Sequence, residues 1–409
     1  MAGSTIDHMV SLTVFLGALL LFITLFNQTI QTAVLYQRHK VIASKCTDVL
    51  DNVLLNPGYP TYWGSSNSTP TSFGLQDPEF TQYRLSPFSL MRLNSLTGSP
   101  IYYPKTGQTY SNITMGFGNF LFVPYEEVIN YSTVSALLGI NNTYGFQMNI
   151  APIVSVSISE FQSSNPLIVS VNVTGKGFPL SNANLSYCFL TVTLLGGGSY
   201  PSYVTSYGST YTDEKGMAFL QFPTVTDPDT SYGLIIYSHI SGLVGMGYYQ
   251  RVSSDHQYAV PLIDDFNSRT VIIAHSYDVH YFEPPVAEIS YNATFVLLAE
   301  DFTLREMPMD NSTGKIGKVN YGNGQPYGEI TIPTDNPGIL VITYRKSANE
   351  GGIILMPWGI SAMAFQVTFG ADMKGKEWVA TDIREVTVNN VAYQASLALW
   401  DLQGYQVKG

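Results

Sequence analysis

The chain has 409 residues, enough for two to four domains at roughly 100–200 residues each. Its net charge is −11 and only 12% of its residues are charged, which argues against nucleic-acid binding because such proteins neutralise phosphates with lysine and arginine. An apolar fraction of 45% can bury a core and argues against disorder, and a polar surface of Ser, Thr, Asn, Gln and Tyr is typical of extracellular β-rich proteins.

The cysteines, Cys46 and Cys188, are too few for a disulfide framework or a four-ligand zinc site. They lie in segments of very different character, so we expect two free thiols.

A membrane span is indicated near the N-terminus. No charged residue occurs between His8 and Arg38, and the stretch Met9 to Phe26 is apolar apart from small or hydroxyl-bearing residues. Such a length reaches the threshold of about 18 residues for a transmembrane helix. A cleaved secretory signal is the alternative, but it requires a preceding basic region and a small-x-small cleavage site, which the chain lacks. The pattern therefore favours an anchor.

The helix is expected to continue beyond the span. Neither proline nor glycine occurs from Ala18 until Pro57-Gly58, which is a stop signal. An apolar stripe of heptad-like spacing runs along this stretch at Leu35, Ile42, Cys46, Val49 and Val53. We predict one helix over residues 5–55, roughly 75 Å long. Its first half would suit lipid and its second half would pack on protein; the alternative is an anchor followed by an unrelated soluble helix.

Two features of the sequence predict opposite orientations in the membrane. Arg38, Lys40 and Lys45 follow the span, so the positive-inside rule would place the bulk of the chain in the cytoplasm. The remainder, however, is poor in lysine and carries many N-glycosylation acceptor sequences. Because long domains translocate regardless of nearby charge, we expect an extracellular bulk on a single-pass anchor. The candidate acceptors are Asn67, Asn112, Asn130, Asn141, Asn172, Asn184, Asn292 and Asn311.

The N-terminus resembles that of type IV pilin-like proteins. Gly3-Ser-Thr-Ile-Asp7 is followed at once by the long apolar helix. The resemblance implies leader cleavage between Gly3 and Ser4, and a contact made by the acidic Asp7 within a helix assembly. The basic residue usual before the cleavage glycine is replaced by Ala2.

Three further patches resemble archaeal pilin-like surface proteins. The helix end from Cys46 to Trp63, with a Gly-x-Pro-x-x-Trp turn, is similar to theirs, as are the segment from Tyr125 to Phe146 and the final stretch from Arg384 to Trp400. The resemblance implies a pilin-like fold and assembly with further subunits. No patch carries a catalytic signature.

Period-2 patterns indicate strands from residue 152 onward. In the segment 167–174 the apolar residues Leu167, Val169, Val171 and Val173 alternate with polar ones, so Asn172 should point outward. Further short strands at about 8–12-residue spacing predict a β-sandwich. The Gly175–Asn184 stretch and the Thr212-Asp-Glu-Lys-Gly turn resemble immunoglobulin-like modules of surface proteins.

The predicted fold class is mainly β with one long N-terminal α-helix. We expect a transmembrane and amphipathic helix over 1–58, a mixed α/β pilin-like region over 59–151 with a helix near 125–139, an immunoglobulin-like β-sandwich over 152–262 and a C-terminal β domain over 263–409. The last strands should form a hairpin turning at Asn389-Asn390. In an alternative interpretation, residues 59–151 and 263–409 form one discontinuous domain, because this hairpin and the 125–150 segment resemble the same family.

Candidates for chemistry are few. The best local cluster contains His275, Asp278, His280 and Glu283; on a strand, Asp278 and His280 would share a face as metal ligands or an acid/base pair. An ordinary strand with outward polar residues is the simpler reading. The adjacent carboxylate pairs are interpreted as solvated loop charges. We therefore expect no enzyme and no catalytic, cofactor or metal site. The carboxylate pairs are Glu126-Glu127, Asp264-Asp265 and Glu300-Asp301.

Three functions remain open at this point: a pilin-like surface or filament subunit, a non-assembling membrane-anchored ligand- or envelope-binding protein, and an ectoenzyme using the Asp278/His280 region. The expected partners are membrane lipid, pilin-like subunits or further copies of the chain, and an envelope protein or glycan.

The anchor can be tested by placing a charge in the span. Arginine at Leu19 or Leu20 should cost about 2.5–3.5 kcal/mol of insertion and release the protein from membranes. Membrane fractionation without detergent measures this, and a variant that stays fully membrane-bound would contradict the anchor.

Overall fold

The computed structural model describes residues 2–80, 82–93, 100–115, 119–194, 200–251, 257–280, 288–299, 302–317, 326–359, 365–376 and 378–402. Its helices are α1 (Ala2–Leu55), α2 (Pro87–Met91), α3 (Tyr131–Leu137) and α4 (Ser276–His280). Single 3₁₀ turns lie at Trp63–Ser65 and Tyr125–Glu127.

The strands fall into four sheets. In chain order they are β1 (Ile101–Tyr103), β2 (Gln108–Met115), β3 (Asn119–Pro124), β4 (Tyr144–Pro152), β5 (Val154–Gln162), β6 (Leu167–Gly175), β7 (Phe178–Pro179), β8 (Asn184–Thr193), β9 (Ser202–Tyr211), β10 (Met217–Phe222), β11 (Tyr232–Ile240) and β12 (Leu243–Arg251). They continue with β13 (Ala259–Asp265), β14 (Thr270–His275), β15 (Ile289–Leu298), β16 (Leu304–Met307), β17 (Thr313–Ile316), β18 (Tyr327–Thr331), β19 (Gly338–Arg345), β20 (Gly351–Trp358), β21 (Val367–Gly370), β22 (Ala380–Val388) and β23 (Val391–Asp401).

The long helix is confirmed as a single unbroken element. It ends where Pro57-Gly58 predicts, and Gly58 has a φ of +82°, a left-handed conformation that glycine adopts without strain. The last carbonyls receive partners from the following turn, because Leu75 N donates to Val53 O at 2.8 Å and Gln76 N donates to Asn56 O at 3.1 Å. The helix end is therefore satisfied although it is buried.

The sheet against which α1 packs has the order β21-β4-β23-β22, all antiparallel, and we call it the junction sheet. β22 and β23 form the predicted closing hairpin, with Asn389 and Asn390 at φ of 45° and 70°. Both angles are positive, as a two-residue type I′ turn requires. β4 covers Tyr144–Pro152 and β23 covers Val391–Asp401, so the junction sheet joins segments that are far apart in sequence.

The sandwich is immunoglobulin-like and contains residues 154–251, with the strand order β10-β6-β5-β12-β11-β8-β9. β5 pairs antiparallel with β6 and parallel with β12, and so connects the two layers. As predicted, Leu167, Val169, Val171 and Val173 are buried and Asn172 is exposed. Across the layers, the Phe189 and Phe222 rings stack with centroids 3.9 Å apart.

Two further sheets complete the body, with the orders β1-β2-β3-β13-β14-β18 and β16-β15-β19-β20. β19 and β20 are almost wholly buried, and Leu355 of β20 lies against Gly233 of β11. One apolar cluster thus extends from α1 through the junction sheet and the β16-β15-β19-β20 sheet to the outer face of the sandwich.

Two local predictions were wrong. The helix expected near 125–139 is confined to Tyr131–Leu137, because Asn130 caps it: its Oδ1 accepts from Thr133 N at 2.9 Å. The strand expected through Asp278 and His280 ends at His275, and α4 follows over Ser276–His280. Asp278 and His280 therefore do not share a strand face; Glu283 lies outside the described residues.

Packing of α1 on the junction sheet should stabilise the fold measurably. Leu50 has no exposed area, so Leu50→Ala should lower the free energy of unfolding by about 2–5 kcal/mol through the cavity it leaves. Leu55→Ala is the matched control, since Leu55 is 45% exposed and its truncation should cost less than about 0.5 kcal/mol. Denaturant unfolding of the detergent-solubilised chain compares them, and equal midpoints would contradict the packing.

Candidate functional site at the helix–sheet junction

The first part of α1 has no protein around it. The apolar window of 18 residues is entirely unburied, and large side chains such as Met9, Phe15 and Phe22 are 67%, 63% and 66% exposed. A core helix of a soluble protein would bury one face of such a surface. By length and composition this helix can cross a membrane.

Polar groups in the window are internally satisfied. The hydroxyls of Thr13 and Thr24 each donate to the carbonyl four residues earlier, at 2.8 Å. Because lipid offers no hydrogen-bond partner, such back-bonding is the arrangement that suits a membrane interior.

The exposed part of the helix is longer than a bilayer requires. The stretch from Met9 to Phe26 rises about 27 Å, close to the hydrocarbon thickness of ~30 Å. The helix then continues with exposed side chains to Val41 before it meets the body, except that Leu35 is half-buried. A helical stalk of about 22 Å therefore separates the apolar window from the sheet.

From Ile42 onward the helix buries one stripe. The predicted positions Ile42, Cys46, Val49 and Val53 are at most 4% exposed, and Leu50 and Leu54 extend the stripe by one neighbouring row. This stripe contacts β22 and β23. The second half of α1 thus packs on protein, as the heptad-like spacing predicts, and a helix unrelated to the anchor is excluded because α1 is continuous.

A polar clamp fixes the register of helix and sheet. Arg384 on β22 donates to both carboxylate oxygens of Asp51, from Nε at 3.0 Å and from Nη2 at 3.2 Å, and its Nη1 reaches Asp382 Oδ1 at 2.7 Å. Thr47 Oγ1 donates to Asp382 Oδ2 at 2.7 Å. The fork of an arginine holds a carboxylate in one orientation, so this cluster specifies how far along the sheet the helix sits.

The electrostatics of the clamp follow from these contacts. Hydrogen bonds to Asp51 and Asp382 raise the pKa of Arg384 above its ordinary value. Burial alone would raise the pKa of Asp382, but hydrogen bonds from Thr47 and Arg384 outweigh it and hold that pKa below its usual value. Arg384 and Asp382 are therefore both charged at neutral pH.

The cysteines are structural, and both are free as expected. Cys46 Sγ lies 3.3 Å from Leu397 O and 3.6 Å from Ala380 O, between the two strands of the hairpin. Burial, with a contribution from the Asp382 charge, raises the pKa of Cys46 to about 11, and burial raises that of Cys188 to about 12. Neither thiol can serve as a nucleophile at neutral pH.

The turn after the helix depends on a residue that the sequence did not identify. Arg92 is completely buried, and its guanidinium donates to the carbonyls of Trp63, Ser66 and Ser68 while Nε donates to Glu127 O at 2.9 Å. Burial raises the pKa of Glu127 to about 7 against the opposing effect of Arg92. Glu127 was predicted to be a solvated loop charge; it is half-buried beside this arginine instead.

The predicted site residues lie in different places. Gly3 and Ser4 belong to α1, and Asp7 is exposed on it, so leader processing and a helix contact stay predictions. Five of the acceptor asparagines have exposed side chains, whereas Asn184 and Asn292 are half-buried. The side chain of Asn112 is not among those that the structure describes. The exposed five are Asn67, Asn130, Asn141, Asn172 and Asn311.

No catalytic constellation is formed among the described residues. Within them, no group of three or more His, Cys, Asp or Glu side chains could hold a metal ion. His275 is buried at the end of β14, where its Nδ1 accepts from Tyr277 N at 3.1 Å. What the junction brings together is the buried stripe of α1 and the charged clamp on β22.

Comparisons with known proteins give no functional argument. No protein-family model and no curated protein matches the chain. Among solved structures, red sea bream transglutaminase shares 10% identity with a TM-score of 0.19, over 61% of this chain and 37% of that chain. The trypsin-activated alpha-2-macroglobulin of Escherichia coli shares 9% identity with a TM-score of 0.22, over 68% and 20%. The chain thus spans well under half the length of either structure.

The clamp gives a testable contribution to stability. Arg384→Met should lower the free energy of unfolding by about 1 kcal/mol and speed amide exchange in residues 47–54, because two carboxylates lose their shared cation. Lys176→Met is the control: Lys176 follows β6 and pairs with Glu385, the neighbour of Arg384 on β22, but that pair is exposed and 3.9 Å apart, so its loss should change nothing measurable.

The same variant makes a prediction about pH. A carboxyl whose pKa is lowered on folding stabilises the protein above its ordinary pKa of 3.8 and loses that contribution as pH falls through the lower folded value. The difference between wild type and Arg384→Met should therefore persist at neutral pH and shrink below about pH 4. A difference that grows on acidification would contradict the clamp.

Proposed function

We propose that the protein is a pilin-like cell-surface or filament subunit, anchored or assembled through its N-terminal helix, with its β-rich body displayed for adhesion or protein contact. The observation that carries this is the division of α1: one continuous helix with an unburied apolar window near its start and a final stretch, from Ile42, packed on an antiparallel sheet. That division is what a subunit requires if its helix is to be buried in lipid before assembly and among other helices after it.

The stalk supports assembly over simple anchoring. A plain anchor needs about 20 apolar residues, whereas α1 leaves a further exposed stretch from Asn27 to Val41 between the apolar window and the body. Ile30, Val34 and Val41 lie there at helical spacing and are 45%, 45% and 54% exposed. Helices of further copies packed in parallel would cover this surface as well as the window.

An extracellular body is supported by its surface. Five acceptor asparagines are exposed, on the helix-proximal turn, on the sandwich and in loops of the other sheets. A surface built from uncharged polar residues fits a secreted or displayed domain. The basic residues Arg38, Lys40 and Lys45 argue for the opposite orientation; the first two lie on the stalk that would follow the membrane, and Lys45 lies in the sheet-packed part of α1.

The alternative is a non-assembling membrane-anchored protein that binds a ligand or envelope component. It shares the anchor and the displayed body but needs no contact between copies. The ectoenzyme is the less favoured third function: Asp278 and His280 both lie on the short helix α4, two positions apart, and residues at that spacing do not face each other on a helix.

Crosslinking separates the two functions. Ile30→Cys places a thiol on the stalk just beyond the window, while Tyr102→Cys, 60% exposed on β1, is the control in a different sheet from the one on which α1 packs. Native Cys46 and Cys188 are buried and should stay unlinked. With mild oxidant on intact cells, assembly predicts linked dimers for Ile30→Cys only, accompanied by filaments in electron micrographs.

Monomeric behaviour of both cysteine variants, with no filaments, would favour the non-assembling alternative. In the same cells, added protease should trim the body and mass spectrometry should find glycan on Asn172 or another exposed acceptor. Full protection from protease without modification would place the body in the cytoplasm instead.

A further inference from the structure

An open cleft lies beside the turn that follows α1. It has a volume of about 550 Å³, and its walls come from three regions of the chain: the segment 61–89, the β15 end with the loop before β19, and the Asn389 turn of the closing hairpin. This size falls in the range of about 300–1,000 Å³ typical of small-molecule sites. The cleft is separate from the helix–sheet junction, whose clamp residues do not line it.

Two aromatic side chains of the cleft are exposed. Tyr62 is 55% and Phe80 is 44% exposed, although both belong to the tightly packed segment around Trp63. Exposed rings next to polar groups offer flat apolar surface to a ligand that has an apolar face and a polar rim. A pyranose ring has that character, because its C–H bonds form one face and its hydroxyls lie around the edge.

The polar side of the cleft presents oriented acceptors. Asp335 is held through Oδ1 by Arg269 Nη1 at 2.7 Å, whereas both oxygens of Asp77 have partners, Oδ1 in Glu79 N at 3.1 Å and Oδ2 in Arg84 Nε at 3.6 Å. A carboxylate fixed through one oxygen keeps further lone pairs for the short, strong bonds that hydroxyl donors make. Asn336 and Asn389 add amide side chains, which both donate and accept.

The charge of the lining excludes two ligand classes. Of the lining carboxylates Asp77, Glu79 and Asp335, the first pairs with Arg84 at 3.6 Å and the last with Arg269 at 2.7 Å, so carboxylates exceed cations by one and an anionic ligand would be repelled. A cationic ligand would seek an aromatic face, but the Arg84 guanidinium already lies over the Phe80 ring, 3.5 Å from its centroid. An incoming cation would meet a like charge there. A neutral ligand rich in hydroxyls satisfies both conditions.

We propose that this cleft binds a neutral saccharide, which packs on Tyr62 and donates a hydroxyl hydrogen bond to Asp335. The site does not depend on assembly of α1, so a body that binds sugar without forming filaments is consistent with it. It would give the displayed body a glycan-contacting surface close to the end of the anchoring helix.

The test uses the full chain in detergent against an array of neutral, sialylated and sulfated glycans, with a lysine-rich peptide alongside. The best neutral glycan is then titrated by calorimetry. We expect binding to neutral glycans with a dissociation constant near millimolar, weakened at least tenfold by Tyr62→Ala and by Asp335→Asn. Tyr102→Ala is the control, since this tyrosine is 60% exposed and does not line the cleft.

Thermal unfolding of each variant checks that the fold is intact. The proposal is overturned if no neutral glycan binds, if only anionic glycans or the basic peptide bind, or if Tyr62→Ala and Asp335→Asn bind as tightly as wild type. Membrane fractionation of the same variants should be unchanged, which separates failure of the cleft from failure of the anchor.

Discussion

The unbroken backbone hydrogen bonding of α1 from Ala2 to Leu55 is the constraint on which the other features of the molecule depend. A continuous helix is stiff over this length, so whatever fixes its second half also aims its first half. The stripe from Ile42 to Leu54 is buried on β22 and β23, whereas the apolar window before it has no protein contact. Burial at one end thereby projects an apolar rod away from the body.

Two kinds of interaction hold α1 on the junction sheet. Apolar burial of the stripe supplies the stabilisation, since it removes several large side chains from water at about 25 cal/mol per Å². The clamp of Arg384, Asp51 and Asp382 supplies register, because a charged fork tolerates little sliding. A partly exposed cluster is worth little in energy, but it decides which turn of the helix meets which residue of the sheet.

Much of the local structure could be predicted from the sequence. The helix, the alternation in β6 and the Asn389-Asn390 turn rest on periodicity and on backbone preferences of neighbouring residues, which a sequence displays directly. The short helix α4 was not predicted, because five residues are too few to show a helical period. The helix α3 was predicted too long, because Asn130 was not recognised as its N-terminal cap.

Tertiary partners could not be predicted in the same way. The arginine at position 92 reads as a surface residue, yet it is buried among carbonyls that come from residues 63–68 and from Glu127. The parallel contact of β5 with β12 and the pairing of β4 with β23 join strands far apart in sequence. Likewise, the proposed saccharide cleft forms where three segments that are far apart in sequence meet, so no single sequence motif predicts it.

The central claim is that one continuous helix is exposed to lipid from Met9 to Phe26 and packed on the junction sheet from Ile42 to Leu54. Nitroxide labels placed singly along α1 in lipid vesicles test this directly, because oxygen partitions into lipid and a nickel chelate stays in water. The account predicts high oxygen access at every position from Met9 to Phe26, and from Ile42 to Leu54 restricted motion recurring every three to four residues. Uniform access to the nickel chelate over the window, or free motion throughout the second half, would contradict it.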